Sequence, residues 1–221
     1  MKALPWLGGA ALVLLAVGLY IGLVGSPPDV FQRDYVRIMY MHVPSAFVAY
    51  LAVATVFVTS ILYLWRGRES YDQIAHSAGE LVTLFTAVAL GSGMIWGKAV
   101  WGTWWTWDAR LVTTAVLFLI YVGYLLIREL AEDRRRGARL AAVIGIIGAL
   151  DVPVIHYSVV WFRTLHQPAS IARGDIQMAP PMVAALMINL VAFSFIYVYM
   201  LLTRLRLERL EAARAAAELS P

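Results

Sequence analysis

The chain has 221 residues, of which 61% are hydrophobic and only 14% are charged. Because about a quarter of the residues in a soluble domain are charged, this composition excludes a soluble fold and predicts an integral membrane protein. The sequence contains no cysteine, which excludes disulfides, thiolate metal sites and covalent attachment of a cofactor through cysteine. The formal net charge of +4 reflects orientation in a membrane and does not indicate nucleic-acid binding.

Six apolar runs are long enough to cross a bilayer, which takes about 20 mostly apolar residues in a helix. We therefore predict an all-α polytopic membrane protein in which residues 1–221 form one domain of six transmembrane helices. The first run exceeds the roughly 7–15 apolar residues of a cleaved signal peptide, so we predict that it stays as the first helix. The six runs cover residues 3–25, 44–65, 78–97, 111–127, 140–162 and 180–203.

Lys and Arg are divided unequally between the two ends of these helices. Twelve of the 18 lie at residue 2, in the loops 66–77 and 128–139, and in the tail 204–221. The positive-inside rule makes these segments, and both termini, cytoplasmic. The charge patterns of the second loop and of the tail predict helix ends that continue into water. The outer face then receives three segments with unusual residues, 26–44, 96–110 and 163–181.

The first outer segment, 26–44, carries a candidate ligand and two candidate cations. His42 lies at the outer end of the second helix, just before Pro44. Neutral imidazole is the commonest metal ligand among side chains, although a single histidine here is more often an ordinary interfacial residue. Arg33 and Arg37 are one turn apart on an amphipathic stretch. They suit either a carboxylate ligand or phospholipid headgroups.

The second outer segment, 96–110, contains five of the eight tryptophans. Four of its residues follow the spacing i, i+3, i+4 and i+7, which predicts one face of a short helix in the headgroup layer. These are Trp101, Trp104, Trp105 and Asp108. Trp107 and Arg110 then point elsewhere. Tryptophan is enriched at both interfaces of ordinary membrane proteins, but a cluster this dense equally suits a platform for a large flat π-system.

The fifth helix contains two ionisable residues. Asp151 lies near its middle, two residues before Pro153, and His156 lies farther toward the outer side. Ionisable groups at such depth are costly and indicate function, here a proton-coupled or small-molecule transporter. The alternative is structural, because Pro153 frees a backbone carbonyl and polar neighbours stabilise the resulting kink. His76, at a cytoplasmic helix end, has no predicted role.

The third outer segment, 163–181, contains the second candidate ligand. His166 lies on the same side of the membrane as His42 and the tryptophans, ahead of Pro168. Two imidazoles that approach from opposite sides hold the iron of a porphyrin at both axial positions, and a flat aromatic surface suits the macrocycle. The three outer segments together therefore predict a haem site.

Haem has two propionates, which need cationic partners. The sequence does not choose among the outer cations, or between this use and contact with lipid headgroups. Asp108 is likewise open to two uses, a hydrogen bond to the second ring nitrogen of a ligand histidine or a local pair with Arg110. The candidate cations are Arg33, Arg37, Lys98, Arg110, Arg163 and Arg173.

Three stretches of the chain resemble a known family. WGTWWTWDARL at 101–111 is similar to the tryptophan-rich (WWD) signature of the haem-handling membrane proteins of cytochrome c biogenesis. MHVPSA around His42 and YSVVWFRTLHQPAS around His166 resemble the two histidine segments of one branch, the CcmC (haem exporter protein C) family. The number of helices and the length also fit that branch. One departure is Val112, which separates Leu111 from Thr113 where the signature usually continues Arg-Leu-Thr.

The resemblance implies a protein that binds haem b transiently and non-covalently at the periplasmic face of the cytoplasmic (inner) membrane. It implies His42 and His166 as axial ligands of the iron and the tryptophan segment, including Asp108, against the porphyrin. Among the cations we expect Arg37 and Arg110 to contact the cofactor.

The resemblance also implies partners and a mode of action. Haem would pass to the haem chaperone CcmE, beside the ABC-type transporter subunits CcmA and CcmB and the small single-helix protein CcmD. Residues 92–99 only approach a phosphate-binding P-loop, because Ser92 and Ala99 replace the required Gly and Ser or Thr. We therefore predict binding and transfer rather than enzyme activity. A membrane protein that keeps its haem for electron transfer is a further alternative.

Overall fold

The computed structural model describes residues 4–162, 164–166 and 178–218, with only the backbone at 212 and 215–218. It confirms an all-α fold, because this part of the chain contains no strand and six helices long and apolar enough to cross a membrane. The helices are α1 (Leu4–Tyr20, extended by a π-helical turn Ile21–Gly25), α2 (Met39–Arg66), α3 (Glu69–Trp101), α4 (Ala109–Leu130), α5 (Arg134–Trp161) and α6 (Pro180–Glu218), with a 3-10 helix at Asp34–Ile38 before α2.

Most helices are longer than the apolar runs that predicted them, because hydropathy marks only the part in lipid while backbone hydrogen bonding continues into water. The inner loops expected at 66–77 and 128–139 are correspondingly short. Gly67, with φ of 64°, ends α2 only two residues before α3 starts at Glu69. The tail is helical as predicted, since α6 has 39 residues and is about 58 Å long at 1.5 Å per residue.

The helices pack around α2, which contacts α3, α5 and α6, while α1 pairs with α6 and α4 packs on α3 and α5. Large tyrosines on α4 meet glycines on neighbouring helices, so the backbones approach closely. A Cβ at Gly79 would lie 2.6 Å from Tyr124, and one at Gly148 would lie 2.9 Å from Tyr121. Both tyrosines are fully buried in the main apolar core.

Ionic contacts join α3 to its neighbours in the half of the bundle that the positive-inside rule predicts to be cytoplasmic. The three α3 residues involved are spaced by four, so they lie on one face of the helix. Asp72 pairs with Arg128, His76 with Glu208, and Glu80 with Arg204. The Asp72 contact to Arg128 is bidentate, at 2.6 and 2.8 Å. His76, which had no predicted role, therefore joins α3 to α6 across 132 residues of sequence.

The tryptophan segment differs from the short helix predicted from its spacing. Helix α3 ends at Trp101 because Gly102 adopts a left-handed conformation with φ of 76°. The chain is then irregular until Asp108, whose side chain caps α4 by accepting from Leu111 N at 3.0 Å. The i, i+3, i+4, i+7 pattern was therefore a wrong guide here, and its four residues do not share a helical face. The short helix Asp34–Ile38 lies instead in the first outer segment.

Candidate functional site

His42 is held by the backbone of α3. Its Nδ1 lies 2.9 Å from the carbonyl oxygen of Ala89 and 3.2 Å from Oγ of Ser92. The carbonyl only accepts, and the Ser92 hydroxyl already donates to Val88 O at 2.6 Å, so both neighbours require a proton on Nδ1. This tautomer leaves a free lone pair on Nε2, which is the atom that a metal ion binds.

Two further residues shape the surroundings of His42. The indole of Trp96 meets the imidazole edge to face, with ring centroids 5.6 Å apart. Trp96 Nε1 in turn donates to Oε1 of Gln32 at 2.9 Å. A Cβ at Gly93 would lie 2.9 Å from Cε1 of His42. A glycine is therefore needed where α3 passes the ring.

His166 is held by a carboxylate. Its Nδ1 lies 3.1 Å from Oδ2 of Asp108, and Trp101 packs edge to face against the ring with centroids 4.8 Å apart. Burial lowers the pKa of His166 below its usual value, and Arg110 acts in the same direction while Asp108 opposes both. The ring is then neutral at pH 7, with the proton on Nδ1 facing the carboxylate and the lone pair on Nε2.

Asp108 thereby answers one question that the sequence left open. Its Oδ2 also accepts from Oγ1 of Thr106 at 3.0 Å, while Oδ1 caps α4. Within the described residues it makes no hydrogen bond or ion pair with Arg110. The carboxylate therefore orients the imidazole of His166, in the way that second-shell carboxylates orient histidine ligands of metals.

The two histidines and Arg110 form one electrostatic group. His42 interacts with both His166 and Arg110, and His166 also interacts with Arg110. Two imidazoles that are far apart in the chain thus converge at the end of the bundle where α2 and α4 begin and α3 and α5 end. Both present Nε2 as the free ring nitrogen, and two such nitrogens are a donor set that suits the two axial positions of a haem iron.

Two buried donors in this region lack partners among the described residues. These atoms are Nε of Arg110 and Nε1 of Trp105. Arg110 uses another nitrogen, Nη2, to donate to the carbonyl oxygen of His156 at 3.3 Å. Buried polar groups are normally hydrogen-bonded. Arg110 also interacts electrostatically with both imidazoles, so its free donor, with that of Trp105 in the same segment, suits a ligand with carboxylates. The residues present therefore fit haem with its propionates.

The tryptophans do not form a single flat surface. Trp105 and Trp107 meet edge to face, with an interplanar angle of 80°. Trp107 is 84% exposed and Trp104 is 54% exposed, whereas Trp101 contacts His166. The predicted contacts of these indoles with a porphyrin therefore stay predictions, with Trp101 and Trp105 the better placed.

The other candidate cations are differently engaged. Arg37 donates to the carbonyl oxygens of Leu23 at 3.1 Å and Ser26 at 2.9 Å, and pairs with Asp34 at 3.2 Å, so its main contacts anchor the end of α1. Lys98 donates to the carbonyl oxygen of Gly102 at 2.9 Å. Arg163, Arg173 and most of the segment 163–181 lie outside the described residues.

Asp151 and His156 are not brought together as a pair. Oδ2 of Asp151 is buried and has no partner in the described part of the chain. The ring of His156 contacts Tyr157 edge to face at 5.1 Å. No hydrogen bond or ion pair joins the two side chains there. The transporter alternative gains no site from this arrangement.

Gln32, Ala89, Ser92 and Gly93 are the site residues that sequence reasoning missed. Ala89 contributes only its backbone carbonyl, which every residue type has, so the sequence gives no sign of this contact. The bond between Gln32 and Trp96 spans 64 residues, so no local pattern announces it. A histidine beside small residues of a neighbouring helix becomes recognisable only after α2 and α3 are paired.

Comparison with known proteins agrees with these features. A model of the family described as "Heme exporter protein C" (CcmC) matches residues 1–220. The chain is 37% identical over 209 residues to a "Heme exporter protein C" of Bradyrhizobium diazoefficiens, covering 94% of this chain and 79% of that protein. It is 36% identical over 204 residues to that of Escherichia coli strain K12, covering 92% and 82%. A "Putative cytochrome c biosynthesis ccmC-like mitochondrial protein" of Marchantia polymorpha is 33% identical over 183 residues, covering 83% and 78%.

Proposed function

The chain belongs to the Heme exporter protein C family, and from that premise we propose that it binds haem b at the periplasmic face of the inner membrane and hands it to a haem chaperone. Family membership gives the chain a role in haem handling for cytochrome c maturation. Its six long apolar helices make it a multi-pass membrane protein. The periplasmic placement of the site rests on the excess of Lys and Arg at the opposite end of the helices.

One observation carries the proposal. His42 and His166 converge at the same end of the bundle, and each has Nδ1 committed to a hydrogen-bond acceptor, so each offers Nε2. We infer that they are the two axial ligands of the haem iron. The ligand that this arrangement takes is the cargo of the protein, held through neutral imidazoles and not through a covalent bond.

The remaining contacts to haem follow from the free donors. We infer that Nε of Arg110 and Nε1 of Trp105 donate to propionate oxygens, because both are buried without a partner among the described residues. The same segment contains Trp101, which packs on His166, and also Trp104 and Trp107. We infer that these indoles face the porphyrin. Arg37 is a weaker candidate. Its Nε is likewise buried without a partner among the described residues, but both of its terminal nitrogens donate to the backbone at Leu23 and Ser26, and it is Arg110 that interacts electrostatically with the two histidines.

Transfer rather than permanent retention agrees with the position of the site. Both histidines lie in the half of the bundle where α3 ends, His42 beside Trp96 and His166 beside Trp101, and we infer that a partner reaches the bound haem from that end. We propose the haem chaperone CcmE as the recipient, and CcmA, CcmB and CcmD as the other members of the complex. The residues at 92–99 do not meet the requirements of a P-loop, so nucleotide hydrolysis would fall to other subunits.

The test is spectroscopic. Full-length protein, purified in detergent and loaded with haemin, is expected to show the absorbance and low-spin EPR signals of bis-imidazole haem. His42→Ala and His166→Ala should each abolish these signals. His76→Ala, at the cytoplasmic end, is the matched control and should leave them unchanged. Identical spectra in all three variants would overturn the assignment of the ligands.

A further inference from the structure

We propose that Gln32 is a positioning residue for His42, acting through the indole of Trp96. The inference rests on the proposed function, because Gln32 gains this role only if His42 binds the haem iron. Gln32 lies in the outer turn between α1 and α2 and contacts Trp96.

The indole of Trp96 connects the outer turn to the ligand. Its Nε1 donates to Oε1 of Gln32 at 2.9 Å, and its ring meets His42 at 72° with centroids 5.6 Å apart. An indole has a single N–H and no acceptor, so this is the one hydrogen bond that the Trp96 side chain makes, and it favours one orientation of the ring. A rotation of the indole would move the surface against which the imidazole rests.

The other neighbours of His42 all belong to α3, and besides the hydroxyl of Ser92 at 3.2 Å from Nδ1 they are parts of its backbone. The carbonyl of Ala89 accepts from Nδ1, and Gly93 passes so close that a Cβ there would lie 2.9 Å from Cε1. Neither neighbour can move without moving α3 itself. Trp96 is therefore the side-chain wall of the imidazole, and its orientation depends on Gln32.

The turn that carries Gln32 is strongly constrained. Oδ1 of Asp29 accepts from the backbone N–H groups of Phe31 at 2.9 Å and Gln32 at 2.8 Å. Asp29 and Arg33 also exchange two backbone hydrogen bonds of 3.1 and 3.0 Å. Arg33 has φ of 54° and ψ of −136°, a conformation that is strained for a non-glycine residue and persists only where the surroundings enforce it. Gln32 is thus presented from a fixed backbone.

Through this arrangement, a residue near the surface of the protein influences the orientation of the His42 imidazole. Phe31, next to Gln32, is 92% exposed, while Trp96 packs against the buried cluster of Val36, Met39 and Tyr40. The hydrogen bond therefore joins an exposed turn to a partly buried ring. Its loss should change the angle of the imidazole plane and weaken the hold on haem without removing the ligand atom.

The experiment uses full-length protein loaded with haemin and compares EPR g-values, the midpoint potential and the rate of haem loss to apomyoglobin. Gln32→Leu should shift the g-values and potential and speed haem loss about threefold to tenfold, the range for one lost hydrogen bond. Trp96→Phe keeps a ring but loses the donor, so it should act alike. The double variant should be no worse than either single variant, and Gln32→Glu, which keeps an acceptor, should stay near the wild type.

A second readout needs no haem. In apoprotein labelled with ¹⁵N, the indole N–H resonance that disappears in Trp96→Phe should shift in Gln32→Leu. Gln73→Leu, on the cytoplasmic part of α3, is the matched control and should change neither readout. If Gln32→Leu does not fold, Trp96→Phe and Gln32→Glu carry the comparison.

The outcomes separate the two levels of inference. Wild-type protein with bis-imidazole signals and a Gln32→Leu variant with unchanged signals and haem loss would overturn the role of Gln32 alone. Additive effects in the double variant would do the same, because they would show that the residues act separately. Wild-type protein without bis-imidazole signals would overturn the proposed function and this inference with it.

Discussion

Asp108 and His166 meet with 3.1 Å between Oδ2 and Nδ1, although 58 residues separate them in the chain. The same carboxylate caps α4 through its other oxygen. Asp108 therefore links the start of a transmembrane helix to the orientation of an imidazole. These two roles are separable by substitution, because asparagine caps helices as well as aspartate does but cannot accept with both of its terminal atoms.

We expect Asp108→Asn to preserve α4 and weaken haem binding about 10- to 100-fold, the usual cost of losing a second-shell partner. The amide nitrogen faces Nδ1 with a donor, so His166 must move its proton to Nε2 and loses the free lone pair. Haemin titration followed by absorbance measures the change. Asp133→Asn, at the cap of α5, is the control. Equal affinity in the two variants would contradict the role of Asp108.

Arg110→Gln should weaken the binding of haemin about 10- to 100-fold, since a hydrogen bond to a charged group contributes roughly 1.5–3 kcal/mol. The physical reason is the loss of a buried donor that has no partner within the described structure. The same titration with the dimethyl ester of iron protoporphyrin, which lacks propionate charges, should show little difference from the wild type. Arg209→Gln, which changes an exposed residue near the C-terminal end of α6, is the control. An equal loss for both porphyrins would argue against propionate contact.

Trp105→Phe should lower haem affinity without lowering the stability of the apoprotein. The substitution removes a buried N–H without a partner in the described residues, so the apoprotein should unfold no earlier than the wild type. Haem affinity should nevertheless fall about threefold to tenfold, because a donor to the ligand is lost. Trp65→Phe, at the cytoplasmic end of α2 and 73% exposed, should change neither quantity. Unchanged haem affinity in Trp105→Phe would show that Trp105 does not donate to the haem and is an ordinary interfacial residue.

Gly79→Ala should destabilise the bundle, whereas Gly91→Ala on the same helix should not. A Cβ at Gly79 would lie 2.6 Å from the ring of Tyr124, and one at Gly91 meets nothing within 4 Å. Overpacking of this kind costs about 1–3 kcal/mol, while alanine otherwise favours a helix over glycine by roughly 0.5–1 kcal/mol. Thermal unfolding in detergent measures the difference. Equal midpoints would show that α3 and α4 adjust freely at this contact.

The six helices could be predicted from the sequence alone, because a run of about 20 mostly apolar residues is typical of a transmembrane helix. The sequence placed their ends less well at the cytoplasmic side. Glu69 begins α3 nine residues before the apolar run at 78, since a helix with a polar first turn continues into water without any change in its backbone. Hydropathy reports the solvent of a helix and not its hydrogen bonding.

The candidate site contains residue types that the sequence singled out, but the contacts among them were not predictable. His42 and His166 were chosen because both lie in predicted outer segments, on the same side as the tryptophans. The geometry of the tryptophan segment was missed because Gly102 permits a left-handed turn that side-chain spacing cannot reveal. The partner of Asp108 could not be predicted from the sequence, because Arg110, two residues away, and His166, 58 residues away, were both possible partners.

Helix α6 is one uninterrupted rod from Pro180 to Glu218. At about 58 Å it is nearly twice the roughly 30 Å thickness of the hydrocarbon layer, and Arg204 and Glu208 join its C-terminal half to α3. A single helix therefore connects the end of the bundle where Pro180 lies with the stub that extends past the opposite end.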